Sequence, residues 1–203
     1  LDVLRLLRFT TRSPRVEATA TRCQAVLEAL RGRFDTARDM LADARASVEK
    51  LGDRHGLLET QLYWGIVELL AGEPEAAEPY LRAAYGGLGR LGIGADAGQA
   101  AAHLSRALLL QRRLEEAAEL ADDSEALAGQ NPQTIIAAKT ARADLLAATG
   151  DLEEARRVAD QAVAAAEGTD IIIDRANANL ALARVRSLAG DAEGTRSAID
   201  AAQ

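Results

Sequence analysis

Small and apolar residues return at fixed distances from five short turns, and this pattern divides the chain into helix pairs. The turns share the form Gly-x-(apolar)-x-x-small: GRFDTA at Gly32, GEPEAA at Gly72, RRLEEA at Arg112, GDLEEA at Gly150 and GDAEGT at Gly190. Their spacings are 40, 40, 38 and 40 residues. Seven residues before each turn stands a small residue: Ala25, Gly65, Ser105, Ala143, Ala183. Five after it stand Ala37, Ala77, Ala117, Ala155 and Thr195, and twelve after it Ala44, Ala84, Ser124, Ala162 and Ala202. Small residues at fixed points let two helices approach closely. Nine after each turn the position is apolar: Leu41, Leu81, Ala121, Ala159, Ile199. Those side chains can fill the space between neighbouring pairs.

The register predicts helix pairs at 15–31 and 34–51, 56–71 and 74–90, 96–111 and 114–128, 133–149 and 152–167, and 171–189 and 192–203. Residues 1–9 are expected to close an earlier helix. Glycine ends a helix because it enters the left-handed C′ conformation without a Cβ penalty. Asp151 and Asp191 then stand as candidate N-caps, and Pro74 stands where a first helical turn tolerates proline. Arg112 lacks the glycine, so its turn should be less favourable or differently shaped. Pro79 lies deeper and should kink its helix.

These offsets resemble the tetratricopeptide repeat. In that family a small residue on helix A and two alanines on helix B mark the tight contacts. The resemblance implies an all-α, right-handed α-solenoid of about five antiparallel helix pairs, a single repeat domain over 1–203. The usual unit has 34 residues and carries large aromatics; here the period is about 40 and aromatics are few. A second resemblance rests on Thr169–Asp191 (TDIIIDRANANLALARVRSLAGD) and Gly32–Asp53 (GRFDTARDMLADARASVEKLGD). Both look like the C-terminal repeat region of large bacterial signalling proteins. Those proteins join a nucleotide-cyclase or DNA-binding domain to an AAA-type ATPase and then to such repeats. The chain begins mid-pattern at Leu1, which is expected of a fragment of a longer protein.

Composition agrees with helix throughout. The chain is 48% apolar but 3% aromatic, with four prolines, and Ala and Leu are the best apolar helix formers. The net charge of −7 does not suit phosphate-backbone binding, which needs clustered cations; no direct nucleic-acid contact is expected. Cys23 is the single cysteine, so an internal disulfide is excluded, in keeping with a reducing cytoplasm. No apolar stretch approaches the roughly 18 residues of a membrane span, and no secretory signal pattern is present.

The candidate chemistry is thin. Gly87-Leu88-Gly89-Arg90-Leu91-Gly92 matches GxGxxG, but a dinucleotide loop must follow a strand, and this one follows a helix. With Gly86 and Gly94 it reads as a frayed helix end and a flexible loop. His55 and His103 are the only histidines, so a four-ligand Cys/His zinc site is impossible. His55 is expected at the surface and His103 in a packing seam. The acid pairs Glu115–Glu116, Asp122–Asp123 and Glu153–Glu154 point about 100° apart on a helix and do not converge; those at Glu115 and Glu153 recur at equivalent repeat positions and read as helix-start preference. Tyr63 and Trp64 read as core. No catalytic residue, metal site or cofactor is expected.

Variable polar residues fall on helix A at thirteen, ten and six before each turn. The resemblance places these positions on a concave groove. They are Thr19, Arg22, Val26; Glu59, Leu62, Ile66; Gln99, Ala102, Arg106; Ala137, Thr140, Asp144; Asn177, Leu180, Arg184. The groove candidates are Arg22, Glu59, Gln99, Arg106, Thr140, Asp144, Asn177 and Arg184. The expected function is non-catalytic: binding of a protein, a peptide or other domains of the same chain within a signalling protein. A small-molecule effector sensor and a self-association module giving a homodimer are the alternatives. A compact, deep pocket near Arg106 would favour the sensor; an open groove would favour a peptide.

Overall fold

The computed structural model describes residues 13–202. The described residues form ten helices and no strand: α1 (Pro14–Leu30), α2 (Phe34–Lys50), α3 (Arg54–Ala71), α4 (Pro74–Arg90), α5 (Gly94–Leu110), α6 (Leu114–Ala128), α7 (Pro132–Thr149), α8 (Leu152–Glu167), α9 (Ile172–Leu188) and α10 (Ala192–Ala201). Each begins and ends within two residues of its predicted span. The helix expected over residues 1–9 lies outside the described residues.

The chain divides into two compact units, Leu1–Gly92 and Ile93–Gln203. In the first, α1 pairs with α2 and α3 with α4, and α3 packs on both α1 and α2. In the second, α5 pairs with α6, α7 with α8 and α9 with α10; α7 packs on α5 and α6, and α9 on α7 and α8. Within each unit, every later pair thus lays its first helix against both helices of the pair before it. That is the stacking of a repeat array, in which each repeat buries its apolar face on its neighbours.

All five intra-pair turns close in the same way. The residue after each turn position donates its N–H to a carbonyl five residues back: Arg33 to Glu28 (3.0 Å), Glu73 to Glu68 (2.9 Å), Arg113 to Leu108 (2.9 Å), Asp151 to Leu146 (3.0 Å) and Asp191 to Arg186 (2.9 Å). This bond satisfies a helix-end carbonyl and requires a left-handed residue before the donor. Gly72 and Gly150 adopt it at φ +81° and +93°. Arg112 adopts it too, at φ +65°, and is the only described non-glycine residue with positive φ. The turn at Arg112 therefore keeps its shape and carries backbone strain instead.

Asp151 and Asp191 cap as expected, accepting from the N–H groups of Glu154 (3.3 Å) and Gly194 (2.8 Å). Asp53 and Asn131 do the same in the loops between pairs, accepting from Gly56 (3.1 Å) and Thr134 (3.0 Å). α4 runs as one helix through Pro79. The glycines of its last turns do not fray it: the helix continues to Arg90. Gly87 is buried there, and a Cβ on it would stand 2.8 Å from Cδ1 of Leu58. Close packing on α3 holds the segment that composition alone marks as weak.

The small positions make the core. Ala25, Ala37, Ala77, Ala117, Ala143 and Ala155 are wholly buried. A Cβ on Gly65 would lie 2.5 Å from Cδ2 of Leu81, itself wholly buried. Ser105 turns its hydroxyl back to the carbonyl of Ala117 at 2.6 Å, tying α5 to α6. Leu41, Leu81, Ala121 and Ala159 are wholly buried, whereas Ile199 is exposed. Among the described residues no later helix follows α10 to cover it. No described helix is long and apolar enough to cross a membrane.

Candidate functional site

The candidate groove residues sit on the first helix of each pair, and the structure sorts them into three groups. In the first unit Arg22 of α1 is 1% exposed. Its Nη2 donates to Glu59 of α3 at 2.7 Å and to Thr19 at 3.0 Å. Its guanidinium lies over the ring of Tyr63, 5.8 Å from the centroid. A cation this deep needs a carboxylate and a π-face to replace water, and here it has both. Arg22 and Glu59 thus tie α1 to α3. Tyr63 also meets the thiol of Cys23 at 3.8 Å, and burial pushes its phenol up.

In the second unit Arg106, Asp144 and Arg184 occupy the same register position on α5, α7 and α9. Arg184 grips Asp144 with two parallel bonds, Nε to Oδ1 at 2.9 Å and Nη2 to Oδ2 at 2.8 Å. Such a bidentate pair is the strong form of the interaction. Arg106 approaches the same carboxylate from the other side, Nε to Oδ2 at 3.5 Å. Two cations therefore share one anion. Burial and the neighbouring Arg184 lower the Arg106 pKa, and Asp144 opposes them. Beside this ladder an open hollow of about 300 Å³ is lined by Leu109, Leu110, Leu114, Ala147 and Leu188.

Gln99, Thr140 and Asn177, with Arg106, line a second and much smaller hollow of about 20 Å³ between α5, α7 and α9. The register positions that were expected to face a groove are in part closed. Val26, Leu62, Ala102, Thr140 and Asp144 are buried, because within each unit the first helices of successive pairs pack directly on one another. Of these positions Thr19 is exposed, and Glu59, Gln99, Arg106, Ala137, Asn177, Leu180 and Arg184 are half-buried.

His103 and Asp174 complete the small hollow, and neither falls on the three sampled positions. His103 stands nine residues before its turn, as do Cys23 and Tyr63. Reading that position across the repeats would have brought all three forward. Burial, and then Arg106, hold the His103 imidazole neutral, with a pKa lowered to about 3. Burial raises the Asp174 carboxyl to about 6, against a hydrogen bond from Gln133 that lowers it.

The remaining candidates have structural partners. Trp64 stacks on Tyr80 within the α3–α4 pair, centroids 5.2 Å apart. The acid pairs hold arginines: Glu116 takes Arg113 and Glu154 takes Arg157 on their own helix ends, and Asp122 joins Glu125 of α6 in holding Arg142 of α7.

The tetratricopeptide repeat family model matches residues 16–88, most of the first unit. The fold is tetratricopeptide-like. Solved structures extend that likeness over the chain. The nearly identical TPR-like repeats of a kinesin light chain from Podosopora anserina align with 95% of this chain and 95% of theirs, at 19% identity and a TM-score of 0.58. BtubC (BKLC) from P. vanneervenii aligns with 98% of this chain and 83% of its own, at 16% identity and a TM-score of 0.62. No curated protein sequence matches this chain. Tetratricopeptide repeats generally mediate protein–protein interaction, and the fold is generally non-catalytic.

Proposed function

We propose that this chain is a non-catalytic interaction module that binds an acidic, partly apolar segment of a partner protein or of its own parent chain. The observation that carries this is the shared carboxylate. Asp144 neutralises one of Arg106 and Arg184, so one positive charge is left over. That surplus adjoins the open hollow lined by leucines. A segment with a carboxylate and a bulky apolar neighbour matches both. The second resemblance supports a setting in a larger cytoplasmic bacterial signalling protein, a nucleotide cyclase or a transcriptional regulator with an ATPase module. There the repeats would dock a partner or hold the ATPase inactive.

The small-molecule sensor is the weaker reading. Drug-sized ligands take deep pockets of roughly 300–1,000 Å³; of the two hollows beside Arg106, one is about 20 Å³ and the other, at about 300 Å³, is open. Self-association stands as a second reading on one observation, the exposed Ile172, Leu188 and Ile199 of the last pair.

Panning a random peptide library on the chain tests the main reading. Enriched peptides should carry Asp or Glu beside Leu, Ile or Phe, and should lose binding to Arg106→Ala and Arg184→Ala. Equal binding to both variants would remove the ladder face from consideration. Sedimentation of the chain as a monomer at every concentration would remove self-association.

A further inference from the structure

The open hollow beside the arginine ladder holds a third cation that the ladder does not account for. Arg112 lines it together with Arg106 and Arg184. The Arg112 side chain is exposed, and no acid among the described residues pairs with it. Its backbone stands apart as well. Arg112 holds φ +65° where the four equivalent turns place Gly32, Gly72, Gly150 and Gly190. A left-handed conformation is strained for any residue with a Cβ, and such strain gathers where a side chain has a task. The turn itself is closed by backbone bonds, so glycine would serve it better. What arginine adds is a guanidinium at the rim of the hollow.

Charge then selects the ligand. Three guanidiniums and one carboxylate, that of Asp144, line the hollow. Arg184 holds Asp144 through two bonds, whereas Arg106 stands 3.5 Å from it. The ladder leaves one positive charge over, and Arg112 adds a second. A carboxylate on a docking segment answers only one of them. A phosphorylated side chain carries about −1.5 to −2 charges at pH 7 and three strong acceptor oxygens. Arginine forks match phosphate oxygens in pairs. The space, about 300 Å³, admits a phosphate group and an apolar neighbour. Leu110 and Leu188 beside it are 54% and 62% exposed, a surface that a free phosphate would leave uncovered.

We propose that Arg112 is a ligand-binding residue, which with Arg106 takes a phosphorylated side chain on the docking segment, while an apolar neighbour of that side chain covers Leu110 and Leu188. The inference rests on the hollow being the docking site for an acidic, partly apolar segment, and it names the acid.

The test uses the full chain and three short acetylated, amidated peptides, read by calorimetric titration. Each places one residue between two leucines: phosphoserine, glutamate or serine. The phosphoserine peptide should bind about tenfold more tightly than the glutamate peptide, and the serine peptide should give no titration. Arg112→Gly should weaken the phosphoserine peptide by about tenfold and the glutamate peptide by no more than about twofold. That variant relieves the turn and should melt no lower than the parent, so its lost affinity is not a lost fold. Arg112→Lys, which keeps the charge, should lose less than Arg112→Gly. Inorganic phosphate should bind more weakly than the phosphoserine peptide. Equal affinity for the phosphoserine and glutamate peptides overturns the inference and leaves an acidic docking site standing. So does a phosphoserine affinity that Arg112→Gly leaves unchanged. Inorganic phosphate binding as tightly as the peptide also overturns it, because the leucines then contribute nothing. Failure of both the phosphoserine and glutamate peptides to bind removes the docking site itself, and this inference with it.

Discussion

Arg112→Gly should stabilise the second unit. Arg112 holds φ +65°, the conformation that its four counterparts reach as glycines. For an L-residue the left-handed region costs about 1–2 kcal/mol. Glycine removes that cost but adds freedom to the unfolded chain, worth about 0.4–1 kcal/mol in the opposite direction. The difference leaves a gain of about 0.5–1 kcal/mol. The Arg112 side chain is exposed, so no packing is lost. For a chain of this size the gain raises the melting temperature by about 1–4 °C. Urea unfolding followed by far-UV circular dichroism reads the whole chain, and hydrogen exchange at the ends of α5 and α6 reads the turn itself. The mirror change, Gly150→Arg, should cost a similar amount, so the double variant should return close to the parent. A lower urea midpoint for Arg112→Gly, with Gly150→Arg unaffected, would refute the argument that these turns are set by backbone conformation.

Gly65→Ala should destabilise the first unit by about 1–3 kcal/mol, read as a lower urea midpoint, since its Cβ would press on the buried Leu81. Asp144→Ala leaves two guanidiniums facing each other. Arg184 keeps 37% of its side chain exposed, which discounts the loss expected of a buried pair to about 2 kcal/mol; the double variant with Arg184→Leu should recover part of it. pH acts on two groups in opposite senses. The Asp174 carboxyl is raised to about 6 from 3.8, so its contribution is full below pH 3.8 and is lost as pH rises through 6. His103 is lowered to about 3 from 6.5, so its contribution is full above pH 6.5 and is lost as pH falls towards 3. Stability measured across that range should fall less steeply with rising pH in Asp174→Asn, and should fall less with acid in His103→Gln.

The fold was largely legible because its determinants are local and repeat. A glycine that must be left-handed and an alanine that must be small leave a mark at each turn, and five marks fix a register. The caps Asp53 and Asn131 escaped that register because the loops between pairs follow no shared motif. The candidate site was less legible. Spacing placed Arg106, Asp144 and Arg184 at one position, but their sharing of a single carboxylate is a matter of rotamers and distance. Asp174 lies at the start of α9, where an acid is ordinarily explained by the helix dipole. Only the packing of α5, α7 and α9 around it turns it into a buried group. Gly87 failed in the opposite sense: composition marked it as loose, and a contact with Leu58 holds it.

The pairing of each helix with its immediate successor also bears on how the chain is made. A pair is complete within about 40 residues, and no strand in the described residues waits for a distant partner. At synthesis rates of about 5–20 residues per second, the ribosome delivers one pair every few seconds. Helices form in about a microsecond, and low-contact-order chains fold in microseconds to milliseconds. Each pair therefore has time to close before the next emerges, and within a unit the later pair finds the earlier pair's exposed face already in place as a template.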